Sequence, residues 1–170
     1  ITLKDLLYGL LLPSGDDAAI AIADGLSGSA ANFVTVMNIY AYRLHLFQTH
    51  YINPDGLTYY STANTPIPGH YTTAYDLVQL AKYAMHIPLF AQIVKTVHYN
   101  LAATSTHRTY QWTNTNDLLG ANLGEFPAYT GATGIKTGYT VEAGYCLVFS
   151  AIHNGHDLIG VVLFSTNTDP

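Results

Sequence analysis

The sequence predicts an α+β fold in which a helical lobe packs on an antiparallel sheet, and two patterns carry that prediction. Between Leu3 and Lys95 apolar residues recur at helical spacing, in runs bounded by capping and breaking residues. Residues 131–170 read instead as strands, with Asn154-Gly155 as a two-residue hairpin signal between two apolar runs. Composition agrees: 49% of the 170 residues are hydrophobic and 10% are charged, which supplies a core and excludes disorder. One incomplete domain is expected over 1–170, with 1–130 as a mainly helical lobe carrying a long loop and 131–170 as the C-terminal strands of the sheet.

Thr2 and Asp5 have the spacing of a capping box, and Leu3, Leu6, Leu7, Leu10 and Leu11 fall on one helical face. Pro13-Ser14-Gly15 breaks that helix. A second helix is predicted from Asp16-Asp17 through Ala23, its acidic first turn favoured by the helix dipole, with Gly25 to Gly28 ending it. Ser29 caps a third, whose buried stripe is expected to be Phe33, Val36, Met37, Tyr40, Ala41 and Leu44. Phe47 to Thr72, rich in proline and glycine, reads as a long loop of the kind that serves a site or a lid. Thr73 and Asp76 repeat the capping-box spacing ahead of Leu77, Leu80, Ala81 and Ala84, and Pro88 opens a short helix ending near Lys95. Residues 97–102 and 109–113 form a small hairpin. Strands follow at Thr133–Thr140, Gly144–Ile152 and Leu158–Ser165. Tyr145, Leu147 and Phe149 lie on one face of the second of these, and Cys146, Val148 and Ile152 on the other, so both faces call for cover.

Several function classes are excluded at once. A net charge of −5 with six Lys and Arg is no nucleic-acid footprint, and no apolar run approaches the ~20 residues of a membrane span. The single cysteine, Cys146, forms no internal disulfide and reads as an inert buried thiol. Eight scattered histidines show no metal-ligand spacing, so no metal or cofactor is expected. His153 and His156 flank the Asn154-Gly155 turn as solvated residues, while His70 and Tyr71 lie where a substrate groove would run. A chain that starts at Ile1 without a methionine is read as a piece of something longer.

Two segments carry chemistry: Pro13-Ser14-Gly15-Asp16-Asp17-Ala18-Ala19 at a helix–helix turn, and Thr133 to Thr140 on a strand. Lys136-Thr137-Gly138 has the makings of an anion clamp, a point charge and a hydroxyl on a strand edge that the glycine leaves approachable. An exposed lysine on an edge strand is the plainer reading of the same triplet. A phosphate loop is excluded, because Ile135 rather than glycine precedes Lys136 and a strand rather than a helix follows.

Together these segments resemble the D-alanyl-D-alanine carboxypeptidase family of penicillin-binding proteins, whose motifs are S-x-x-K, S-x-N and K-T-G. The similarity runs through Leu6–Ala19, Phe33–Asn38, Asn53-Pro54-Asp55-Gly56-Leu57 followed by Tyr60–Ala63 and Thr73–Leu77, a lid-loop and helix pattern with a local expansion, and then Asn114–Leu119 and Gly134–Tyr145. It implies a β-lactamase/transpeptidase-like fold, incomplete here, and a serine acyl-transfer site without cofactor. On that reading Ser14 is the second-motif serine, relaying protons. Lys136 shapes the field around it and, with Thr137, holds the substrate's terminal carboxylate beside Gly138. The Tyr139 N–H gives half of an oxyanion hole. The implied partners are a peptidoglycan stem peptide ending in D-Ala-D-Ala and β-lactams, and the implied location is extracytoplasmic.

The motif set is incomplete. Residues three past Ser14, Ser27, Ser29, Ser61, Ser105, Ser150 and Ser165 are Asp17, Ala30, Asn32, Asn64, Arg108, His153 and Thr168, never lysine. The nucleophile motif is therefore expected in a missing N-terminal segment, leaving this chain inactive alone. Asp16 stands where the family's motif carries asparagine, and a carboxylate only accepts hydrogen bonds whereas an amide also donates. Asp16 either belongs to the site or merely caps its helix. A class A β-lactamase is disfavoured, since neither Glu125 nor Glu142 lies in a deacylation loop. The alternative from another class is a non-catalytic binding module that has lost its nucleophile.

Overall fold

The computed structural model describes residues 1–120 and 128–166. Five α-helices among them, α1 (Leu3–Leu11), α2 (Asp16–Ser27), α3 (Ala30–Arg43), α4 (Ala74–Met85) and α5 (Pro88–Lys95), precede the strands. A hairpin of β1 (His98–Leu101) and β2 (Tyr110–Thr113) follows, then a 3-10 turn at Asp117–Leu119. The chain next forms an antiparallel sheet of β3 (Ala132–Thr140), β4 (Gly144–His153) and β5 (His156–Ser165), in the order β3-β4-β5. No single helix among the described residues is long and apolar enough to cross a membrane.

The helix starts are built as their sequences dictate. Thr2 Oγ1 accepts from Asp5 N while the Asp5 carboxylate reaches back to Thr2 N, closing the box expected for α1. The carboxylate also receives the Tyr99 hydroxyl at 2.8 Å, tying α1 to β1. Ser29 and Thr73 cap α3 and α4. At α4 the reciprocal half of the box is missing, because Asp76 Oδ2 is drawn away to Gln48 N at 2.9 Å and Thr49 Oγ1 at 2.8 Å. That buried carboxylate instead anchors the start of the long loop, whose base is closed by paired backbone bonds between His50 and Tyr71.

Two clusters form the core. Tyr8, Leu12 and Ile93 pack with Leu7, Trp112 and Tyr99, whose ring stacks on Tyr8 at 3.8 Å. Ala81, Val94 and Ile135 pack with Met85, Phe90, Val148 and Ile159, seating α4 and α5 on one face of the sheet. Leu11 touches both clusters and joins the helical lobe to the sheet.

Two expectations are corrected. Helix α2 runs to Ser27, beyond Ala23, because one internal glycine costs a helix only about 1 kcal/mol, and the stop comes at Gly28, whose φ of 75° a side chain would resist. The stripe assigned to α3 is not buried: only Ala41 is, Phe33, Met37 and Leu44 are half-buried, and Val36 and Tyr40 are exposed. Helical spacing identifies a face, but only packing decides whether anything lies against it, and α3 packs chiefly on α2. On the sheet, Val148 and Ile159 face the helices, whereas Tyr145, Leu147 and Val162 lie on the opposite side, along an open groove.

The Asp5–Tyr99 bond has a stability consequence. Its hydroxyl donors hold the Asp5 carboxyl below the usual range, and the bond pushes the Tyr99 phenol up to about 12. A depressed acid stabilises above its ordinary pKa and ceases to as pH falls through its lowered value. A raised phenol stabilises below its ordinary pKa and loses that contribution as pH climbs toward 12. Tyr99→Phe is expected to cost about 2 kcal/mol near neutrality and to move acid unfolding to higher pH, as read by urea unfolding across a pH series.

Candidate active site

The site begins at the end of α1. A helix leaves its last carbonyls without partners, and here Gly9 O accepts from Gly15 N at 3.0 Å. The turn between them is tight enough that a Cβ on Gly15 would lie 2.7 Å from that same carbonyl oxygen. Ser14 is consequently held at φ 63°, a left-handed conformation that non-glycine residues rarely adopt, and its side chain is exposed.

Opposite runs β3. Ser14, Thr137, Gly138 and Tyr139 line one groove of about 1020 Å³, together with Thr115, Asn116, Tyr129 and the β4–β5 residues Tyr145, Leu147 and Val162. Lys136 is half-buried and donates from Nζ to the Thr137 carbonyl at 2.9 Å. Above Gly138 there is room: an added Cβ would meet only Cys146 Cβ, at 4.0 Å. Tyr139 is exposed and leans on Tyr145, ring centres 4.6 Å apart.

Asp16 sits at the first position of α2, and Gly15, not Asp16, is the N-cap. The capping alternative therefore fails, and the nearby Asp17 is the one that bonds backbone, accepting from Ala18 N at 2.8 Å. Asp16 couples electrostatically to the site. Burial and then the carboxylates of Asp55 and Asp17 push its pKa up, while Lys136 pulls it down. Burial pushes Lys136 down, and Asp16 pushes it back up. A helix N-terminus, a lysine and three carboxylates thus share one corner.

The long loop supplies one wall of that corner. Buried Asn53 folds its Asn-Pro-Asp-Gly run, accepting from Gly56 N and donating to Leu57 O, both at 2.8 Å. Asp55 receives the Tyr59 hydroxyl at 2.7 Å. Burial pushes His70 down, partly countered by Asp55. His70 lines a smaller cavity of about 270 Å³ between the loop and the β3–β4 turn at Thr140, Glu142 and Ala143, so it does flank the end of the Lys136 strand. Tyr71 stacks on His50 instead.

Sequence reasoning missed three contributors. Thr115 Oγ1 lies 2.6 Å from Thr137 Oγ1. Asp55 couples to Asp16, and Glu142 holds the loop by accepting from Thr58 and Tyr60 hydroxyls. All three depend on contacts between distant segments; the resemblance runs through the stretches that contain them, Asn53–Leu57, Asn114–Leu119 and Gly134–Tyr145, but assigns none of the three a part. Cys146 corrects another expectation, since it is half-exposed at the groove rather than buried. His153 and His156 are exposed beside their turn, Glu125 lies outside the described residues, and no group of three potential metal ligands converges among the described residues.

An antiparallel sheet backed by helices, with its Lys-Thr-Gly strand facing a serine turn across a groove, is a penicillin-binding/transpeptidase fold. The chain matches the crystal structure of the Streptomyces K15 DD-transpeptidase with a TM-score of 0.83 at 39% identity, covering 98% of this chain and 62% of that one. An evolved penicillin-binding protein homologue from Mycobacterium tuberculosis matches at TM-score 0.81 and 32% identity, with 98% and 57% covered. Residues 1–167 match the model of the peptidase S11 family, D-alanyl-D-alanine carboxypeptidase, and the chain belongs to that family. It is 42% identical to the D-alanyl-D-alanine carboxypeptidase of Streptomyces sp. strain K15 over 98% of its own length and 56% of the relative's. To the carboxypeptidase DacF of Bacillus subtilis it is 36% identical, over 95% and 38%. The chain thus spans about half the length of the curated relatives it matches.

Two outcomes test this geometry. Ser14→Gly is expected to be more stable than Ser14→Ala by about 1 kcal/mol in denaturant unfolding, because only glycine relieves the left-handed turn. The hydroxyls of Tyr60 and Thr58 hold Glu142 below the usual carboxylate range. Its clamp therefore acts above the ordinary carboxylate pKa and is lost as pH falls through the lowered value. Amide protection across Tyr59–Ile67, taken relative to the intrinsic exchange rate at each pH, should fall at acid pH and in Glu142→Ala at neutral pH, and should vary little with pH in Tyr60→Phe/Thr58→Val.

Proposed function

We propose that this chain is the greater part of a serine-type D-Ala-D-Ala carboxypeptidase or transpeptidase domain acting on peptidoglycan stem peptides outside the cytoplasm, and that its nucleophile, an S-x-x-K serine, lies in polypeptide beyond these residues. The observation that carries the reading is the single groove lined by both Ser14 and the Thr137–Tyr139 strand. The substrate's terminal carboxylate is matched by the Lys136 charge and the Thr137 hydroxyl, and the open space above Gly138 lets the peptide lie along β3.

With the peptide so held, the nucleophile's hydroxyl oxygen attacks the carbonyl between the two D-alanines. The Tyr139 N–H and the nucleophile's own N–H steady the oxyanion, the carbon–nitrogen bond breaks, and D-alanine leaves carrying a proton passed through Ser14 and the motif lysine. Water, or an acceptor amine, then cleaves the acyl ester. A β-lactam acylates the same serine, its ring amide taking the place of the peptide bond. Asp16, pushed up by burial and then by its neighbouring carboxylates, stands where a donor to the substrate is needed and supplies one only when protonated.

The second reading, a binding module without a nucleophile, is favoured by one fact: no serine of the 170 residues has a lysine three positions on. Fluorescent penicillin separates the two. Polypeptide extended upstream of Ile1 to include an S-x-x-K should label covalently, and the 170-residue chain should not. Labelling of the isolated chain would contradict the placement of the nucleophile. In the extended protein Lys136→Ala should slow acylation at least about tenfold, since a charge-assisted contact to the carboxylate is lost.

A further inference from the structure

We infer that Thr115 is a positioning residue for the carboxylate clamp, its hydroxyl setting the direction in which Thr137 donates. The inference deepens the proposed function and rests on it. Thr115 is held by an unusually firm local frame. Asn114 and Asn116 on either side are each only 1% exposed. Asn114 Nδ2 donates to Val94 O and Thr96 O at 3.2 and 3.0 Å, and its Oδ1 accepts from Asn116 N at 2.9 Å. Asn116 Oδ1 accepts from Leu118 N at 3.1 Å. Between them Thr115 N donates to Leu12 O at 3.1 Å, two residues ahead of Ser14. The Thr115 hydroxyl is thereby fixed between the Ser14 turn and β3, at 2.6 Å from the Thr137 hydroxyl.

A hydroxyl has one hydrogen to donate and two lone pairs to accept with. A carboxylate arriving beside Thr137 only accepts, so it orders the pair: Thr115 donates to Thr137, and Thr137 donates to the carboxylate. Each bond polarises the next. Without Thr115 the Thr137 hydroxyl keeps its hydrogen but loses the donor that orients it. Asn116 Nδ2 is buried and has no hydrogen-bond partner among the described residues, on a residue that lines the groove.

The test uses the extended polypeptide and two substrates, an acyl-D-alanyl-D-alanine peptide as the free acid and as its C-terminal methyl ester. Thr115→Val, which keeps the shape and removes the hydroxyl, should lower the preference for the free acid over the ester about tenfold, chiefly through KM. Thr115→Ser should retain the preference. An equal loss on both substrates would assign Thr115 a merely structural role and overturn the inference, as would an unchanged preference in Thr115→Val or a lost one in Thr115→Ser. If the unaltered extended protein neither takes penicillin label nor cleaves either substrate, the hydrolase reading itself fails and this role falls with it. That result is distinct from a labelled enzyme indifferent to Thr115.

Discussion

The last carbonyls of α1 hold the site together. A helix ends with acceptors that its own backbone cannot satisfy, and in this chain one of them and the carbonyl of the capping residue Leu12 are taken by two different halves of the groove. Gly9 O binds Gly15 N and so folds the Ser14 turn, while Leu12 O binds Thr115 N and so fixes the segment that touches Thr137. Position 9 is itself constrained, since a Cβ there would approach the Trp112 ring at 3.2 Å. The stacked Tyr8, Tyr99 and Trp112 rings press the β1–β2 hairpin onto α1 at this level. Displacement of that hairpin would therefore reach the groove through two hydrogen bonds.

The electrostatics follow from the same crowding. Lys136 is half-buried beside Asp16, which is itself pressed by Asp55 and Asp17, so the corner holds more carboxylate than cation. On the proposed function, an anionic substrate entering it would depend on Lys136 and on hydroxyl and amide donors rather than on a broadly positive surface. This gives the Thr137–Thr115 pair its weight: where charge is scarce, direction matters more. The loop that brings in Asp55 is secured twice, at its base through Asp76 and the His50–Tyr71 backbone pair and near its tip through Glu142.

Much of the architecture was legible in order along the chain. Capping residues Thr2, Ser29 and Thr73 mark helix starts that the structure contains, and Asn154-Gly155 makes the tight turn between β4 and β5. These succeed because each depends on interactions within a few residues. Failures occurred where a neighbour from elsewhere took over. Asp76 left its box for Gln48 and Thr49, the α3 stripe faced less than its spacing promised, and Cys146 met the groove rather than a covering layer. Of the site, Ser14 and the Thr137–Tyr139 strand were readable as motifs, and the structure lines one groove with them; Asp55, Thr115 and Glu142 lay in stretches of the same resemblance, but nothing local gave them a part.

The sequence by itself determined the element order, the kinship of the motifs and the charged and hydroxyl residues of the Lys-Thr-Gly strand. It did so because helix caps, tight turns and a Lys-Thr-Gly strand are local statements about backbone geometry and charge. Only the tertiary structure decided which distant groups meet: that the end of α1 carries both walls of the groove, that Asp16 lies under the influence of Asp55 and Lys136, and that a second threonine stands 2.6 Å from the one in the motif. The physical reason is range. Hydrogen bonds and desolvation act over a few ångströms of space, and the close packing that brings residue 115 to residue 137 leaves no periodic trace in either segment.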